Sequence, residues 1–183
     1  YLRFKYKKTT INPTFTRLGF LVKYAYPIAI KLHGSKAGRW SDSRYCCNFA
    51  MRLMKIAYPH LKGDGCIVNL ASTAARRWDM VGYGAYAAVK EGIRSLTRAA
   101  ACEWGHEGIR TNVILPHAKS PGLVWWMENN PEEAEVFQAS IPQRRVGECE
   151  EDIGRFVVQL CSEGSRYVNG QSIAVDGGQA LVG

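Results

Sequence analysis

The chain reads as an α/β protein in which helices cover both faces of a doubly wound parallel sheet. Three observations predict this. Two short runs, Cys66 to Ala71 and Thr111 to Leu115, are apolar over most of their length, as in strands covered on both sides. Gly84 to Trp104, between them, carries the longest helical period in the chain. A third short strand, Ser172 to Val175, follows another helical stretch. Strand, helix, strand, helix, strand with connections of this length calls for parallel pairing, and right-handed crossovers then place helices on both faces.

In order along the chain, residues 1–44 show no clean period of 2 or 3.6, and their glycines and prolines fall without an element pattern. From Tyr45 to Tyr58, Phe49, Leu53, Ile56 and Ala57 recur at helical spacing, and Pro59 is expected to stop the helix. Gly63-Asp64-Gly65 marks a turn before the first strand. In the long helix Tyr86, Val89, Ile93, Leu96 and Ala100 fall 3, 4, 3 and 4 apart, and Gly105 is placed to end it. Pro116 stops the second strand. Residues 117–147 form a long connection with a helical patch at Pro131 to Gln138, whose glutamates suit the first turn. Such an excursion often covers a site. Glu148 to Cys161 is helical, with Ile153, Phe156, Val157 and Leu160 on one face. Asp176-Gly177-Gly178 closes the last strand.

The 183 residues suffice for one domain with a real core, and the apolar and charged fractions, 46% and 22%, are those of a folded globular chain. The net charge of +8 is uneven: residues 1–62 hold 13 Lys/Arg against Asp42 alone, whereas residues 63–183 hold 11 against 15 acids. Basicity is therefore a property of the N-terminal stretch. With aromatics at Tyr1, Phe4, Tyr6 and Phe15, that stretch reads as a nucleic-acid or anionic-membrane footing or as a solvated extension. A nucleic-acid partner is not expected. The apolar run Leu18 to Leu32 is broken by Lys23, Pro27 and Lys31, so no membrane span is predicted. The six cysteines form no C-x-x-C pair, and free thiols in a reducing compartment, the cytoplasm, are expected. The four histidines lack ligand spacing, so no metal site is predicted.

The chemistry is carried by Tyr86 and Lys90, four apart on the long helix and hence one turn from each other on one face. A phenol with a pKa of about 10 is a poor base at neutral pH, but a nearby ammonium favours the phenolate. Ser72 stands at the end of the first strand, where its hydroxyl suits a substrate oxygen beside the phenol. A bare Y-x-x-x-K is weak, because the pair occurs by chance on many helices.

Its context is more specific. The order Ile67-Val68-Asn69-Leu70-Ala71-Ser72, then Tyr86-Ala87-Ala88-Val89-Lys90, then Gly108-Ile109-Arg110-Thr111-Asn112-Val113 with Pro116 resembles the classical short-chain dehydrogenase/reductase family across well over a hundred residues. Ile141 to Gly147, Asn169-Gly170-Gln171 and Val175 to Gly178 are similar to that family's closing segments. The resemblance implies a partial Rossmann-like fold and an NAD- or NADP-dependent oxidoreductase acting on a small carbonyl or alcohol. It implies that Tyr86 is the general acid/base, that Lys90 lowers the phenol's pKa and binds the nicotinamide ribose, and that Ser72 orients the substrate oxygen. The cofactor is expected to contact Tyr86, Lys90 and the segment from Pro116 to Lys119. Helices 45–58 and 84–104 are expected to pair across a two-fold in a homo-oligomer.

The chain also departs from the family. The glycine-rich T-G-x-x-x-G-x-G turn and its strands should lie well over a hundred residues before the serine, and only 71 precede Ser72. Gly34-Ser35-Lys36-Ala37-Gly38 offers two of the glycines but Trp40 in place of the third, and Gly82-Tyr83-Gly84-Ala85-Tyr86-Ala87 follows a loop instead of a strand; both read as structural. The family's asparagine falls near Cys46, with Asn48 two residues on, and Pro116-His117 replaces Pro-Gly. The domain division expected is an atypical basic segment, 1–44, before a family-like portion, 45–183. Two functions follow from this: a fragment of a working dehydrogenase, or a remnant that keeps the fold and dimer helices without productive dinucleotide binding. Trp125-Trp126-Met127 reads either as the lining of an apolar substrate pocket or as ordinary packing.

Overall fold

A computed structural model describes residues 40–76 and 84–180, with side-chain surroundings from residue 47. The basic segment up to Arg39, with the glycines at 34 and 38, residues 77–83 and residues 181–183 lie outside the described residues. Helix α1, Trp40–Leu61, leads to β1, Gly65–Leu70; α2, Gly84–Trp104, leads to β2, Ile109–Pro116. Helices α3, Pro121–Asn129, and α4, Pro131–Ser140, fill the connection to a π-turn, Cys149–Gly154, that runs into α5, Arg155–Leu160, and then to β3, Ser172–Val175.

The three strands are parallel in the order β1-β2-β3, with Leu70 level with Ile114 and Pro116 level with Val175. Alternation along β2 sends its side chains to opposite faces. Val113 and Leu115, both fully buried, pack with Ala71 and Ile93 against Ala50 of α1 and Val89 of α2. Ile114, equally buried, packs on the other face with Ile153 and Leu160, beside Phe156 and Val157 of α5. Two helical layers therefore cover one sheet, as the near-continuous apolar strands predict.

Pro59 does not stop α1, which continues to Leu61. A proline there loses its own N–H bond and crowds the Lys55 carbonyl one turn back, but the last turn is held from outside. Tyr58 donates to the Glu107 carboxylate, Lys62 pairs with the same group at 2.5 Å, and the Tyr58 ring lies 4.9 Å from Trp104. These contacts fasten the end of α1 to the turn after α2. That turn, Gly105–Glu107, ends at Gly108, whose φ of 77° is left-handed. A Cβ on Gly108 would stand 2.6 Å from the Gly63 carbonyl oxygen, so this close approach of two backbones requires glycine.

The connection 117–147 is more ordered than its weak period predicts. Ser120 accepts from the Leu123 N–H at 3.3 Å, and Pro121 occupies the first helical position of α3. Ser120→Ala is expected to cost about 1 kcal/mol, read as a lower urea midpoint at unchanged slope; an unchanged midpoint would show that Pro121 alone starts the helix. The predicted helix 148–161 opens as a π-turn, in which the Asp152 and Ile153 N–H groups both reach the Glu148 carbonyl, at 3.1 and 3.3 Å. The neighbouring Cys66 thiol, on β1, and burial push the Cys161 thiol up.

Candidate active site at the carboxyl edge of the sheet

β1 ends at Leu70, and the chain leaves it in extended form through Ser72 (φ −160°, ψ 141°). The Ser72 Oγ accepts from the Ala74 N–H at 3.2 Å and so caps the short turn Thr73–Ala75. Its own proton is still available to a ligand oxygen. Tyr86 and Lys90 sit in the first two turns of α2, both half-buried. The Lys90 Nζ donates to the Leu70 carbonyl at 3.1 Å and lies 5.5 Å from the centroid of the Tyr86 ring. One ammonium therefore ties the strand end to the phenol.

The structure thus brings Lys90 to Tyr86 and to the end of β1, and places Ser72 two residues beyond the carbonyl that Lys90 holds. Pro116 ends the neighbouring strand, and the next residue's N–H, that of His117, donates to the Val175 carbonyl at 3.0 Å. The Lys119 N–H donates to the Gly147 carbonyl at 2.9 Å, while its ammonium pairs with Glu148 at 2.5 Å. Both the backbone N–H and the ammonium of Lys119 are therefore engaged within the protein, and both hold the segment in place. Asn48 is exposed, and the side chain of Cys46 lies outside the described set.

Several groups that shape this edge escaped the periodicity. Arg94, 7% exposed, donates through Nε to the Ser172 Oγ at 3.1 Å and pairs with Glu91 at 2.8 Å, joining α2 to β3. Buried Asp176 accepts from the Gly178 and Ala180 N–H groups at 3.0 and 2.9 Å. The ring of His117 meets Phe137 edge-on at 5.3 Å, and Phe137 meets Trp126 at 5.7 Å. The Trp-Trp-Met run divides accordingly: Trp125 is 64% exposed, whereas Trp126 lines a groove of about 490 Å³ with Val136, Phe137, Glu132, Glu133 and Ser140. Among the described residues no group of three or more His, Cys, Asp or Glu is gathered as a metal site, and no helix is long and apolar enough to cross a membrane.

A parallel sheet covered on both faces, with Lys90 beside Tyr86 at the carboxyl edge, defines an α/β domain with a candidate site where such sheets commonly bind ligands. Residues 43–180 match the sequence model of the family described as enoyl-(acyl carrier protein) reductase. A 12alpha-hydroxysteroid dehydrogenase of a Clostridium species is 41% identical over 126 residues, covering 68% of this chain and 48% of the relative. The Pseudomonas aeruginosa RhlG/NADP active-site complex superposes with a TM-score of 0.69 at 25% identity, over 80% of this chain and 63% of that one. A Brucella melitensis 3-ketoacyl-(acyl-carrier-protein) reductase complexed with NADH gives 0.61 at 27% identity, over 72% and 53%. The chain belongs to the short-chain dehydrogenase/reductase family, and it spans about half the length of the curated relatives it matches.

Proposed function

We propose that residues 45–183 carry the catalytic portion of an NAD- or NADP-dependent oxidoreductase that interconverts an alcohol and a carbonyl. The observation that carries this is the Lys90 ammonium held between the Leu70 carbonyl and the Tyr86 ring. The nicotinamide end of a dinucleotide fits these residues, because a fixed cationic donor and the backbone segment Pro116 to Lys119 stand at the carboxyl edges of adjacent strands. When bound, the dinucleotide supplies or accepts the hydride.

The chain's own work is position and proton transfer. Ser72 Oγ donates to the substrate oxygen and holds it beside the phenol. Tyr86 Oη gives its proton to that oxygen in reduction and takes it back in oxidation. Lys90 favours the phenolate through its charge and, with three donors, can hold ribose hydroxyls as well as the Leu70 carbonyl. A substrate with an apolar body, in keeping with the hydroxysteroid named for the Clostridium relative, would lie toward Trp126 and Phe137, which the edge-on contact of Phe137 with His117 links to the end of β2. The same reading carries a cytoplasmic homo-oligomer paired through α1 and α2, which light scattering of the purified chain tests: a stable monomer removes it.

The first test is titration with NADH and NADPH followed by nicotinamide fluorescence. Saturable binding of one of them is expected, and Lys90→Ala is expected to weaken it about 10- to 100-fold through loss of charge-assisted hydrogen bonds. A folded sample that binds neither would turn the assignment to a remnant that keeps the fold without the chemistry.

A further inference from the structure

Resting on that oxidoreductase reading, we infer that Arg145, Gly147 and Asp152 are positioning residues for the cofactor, forming a latch that holds the segment from Pro116 to Lys119 in place. The segment extends β2 past the sheet, where β3 contributes only the bond from the His117 N–H to the Val175 carbonyl. What holds it further on is the stretch 145–149. Ala118 forms a parallel bridge with Gly147, and the Lys119 N–H donates to the Gly147 carbonyl at 2.9 Å. A Cβ on Gly147 would lie 3.0 Å from the His117 carbonyl oxygen and 3.4 Å from Asp152, so the two backbones meet closely because residue 147 has no side chain. The Cys149 thiol reaches the Lys119 carbonyl at 3.5 Å, and the Lys119 ammonium reaches Glu148.

Residues 145–149 are themselves fixed from the π-turn. Asp152 accepts from Arg145 through both carboxylate oxygens, at 2.6 and 2.7 Å, and from the Glu148 N–H at 2.6 Å. A planar guanidinium on a carboxylate fixes orientation as well as distance. The chain of contacts therefore runs from the Asp152 carboxylate to the Glu148 backbone, from Gly147 to Lys119, and so to the backbone expected against the nicotinamide. These contacts lead to the backbone of the Pro116 to Lys119 segment, so the latch acts on cofactor seating.

Misplacement of a binding element by a fraction of an ångström to an ångström costs up to about a hundredfold, and a latch at one remove is expected to cost about tenfold. The test uses the full chain and compares dissociation constants for NADH and NADPH in wild type, Asp152→Asn, Asp152→Glu and Arg145→Lys, all at a temperature where circular dichroism shows them folded. Asp152→Asn and Arg145→Lys are expected to weaken binding about tenfold, Asp152→Glu to recover most of the loss, and the Lys119 amide to lose protection from hydrogen exchange in step. Arg145 is half-exposed, so its lysine variant keeps the chain foldable even if Asp152→Asn does not. Unchanged affinity in folded variants, with only the melting temperature lowered, would make the pair a structural staple and overturn the inference. Failure of wild type to bind either cofactor would instead bring down the functional reading beneath it, and the inference with it.

Discussion

Tyr86→Phe is expected to lower turnover of a reducible apolar ketone by about two to four powers of ten while leaving the NADH or NADPH dissociation constant within about twofold of wild type. The substitution removes one oxygen from a half-buried ring and leaves the ring itself. The Lys90 ammonium, 5.5 Å from the ring centroid, keeps its aromatic neighbour, and its bond to the Leu70 carbonyl does not involve the phenol. Ser72 keeps its bond from Ala74. What is lost is the proton donor, and the half-buried hydroxyl of Ser72 has far too high a pKa to take its place. The rate measured by loss of nicotinamide absorbance and the affinity measured by its fluorescence should therefore separate. A variant that kept more than about a tenth of the wild-type rate would show that another group or bulk water delivers the proton, and Tyr86 would fall back to a packing role.

The placement of the three candidate residues was legible because their spacing is local. Tyr86 and Lys90 share a helix, and a strand ending at Ala71 puts Ser72 where ligands bind in parallel sheets. Their mutual support was not legible: the bond from Lys90 to Leu70 spans 20 residues and exists only once α2 lies across the end of β1. The same holds for Arg94, which reads as a solvated helix position until β3 brings Ser172 to it from 78 residues away. Tertiary contact also explains where the element boundaries moved. α1 outlasts Pro59 because Glu107 takes hold of Tyr58 and Lys62, and α3 escaped notice because its start is marked by a cap, Ser120 with Pro121, and not by a period. The strands, whose patterning depends on burial on both faces, moved by only one or two residues.

Asn112→Ala is expected to destabilise the fold by about 2 kcal/mol, since it removes two buried hydrogen bonds in one step, although the Val168 carbonyl keeps a donor in Arg110 at 3.3 Å. Asn112 is fully buried in the middle of β2, on the face that carries α5. Its Nδ2 donates to the Val168 carbonyl at 2.8 Å, and its Oδ1 accepts from the Gln171 N–H at 3.0 Å. Together with the Thr111 N–H, which donates to Asn169 Oδ1 at 2.8 Å, these bonds hold the approach to β3 against the flank of β2 before pairing begins at Val113 and Ser172. Water cannot replace them fully, because the Asn112 site is closed, although Gln171 is itself exposed and recovers part of its loss. The consequence reaches the site: β3 in register is what brings Val175 level with Pro116 and lets it accept from the His117 N–H. Urea unfolding should show a lower midpoint with an unchanged slope, and the His117 amide should exchange faster in the native state. A loss below about 1 kcal/mol would mean that the 168–171 turn holds itself, through its own backbone and Asn169, and that Asn112 merely fills space there.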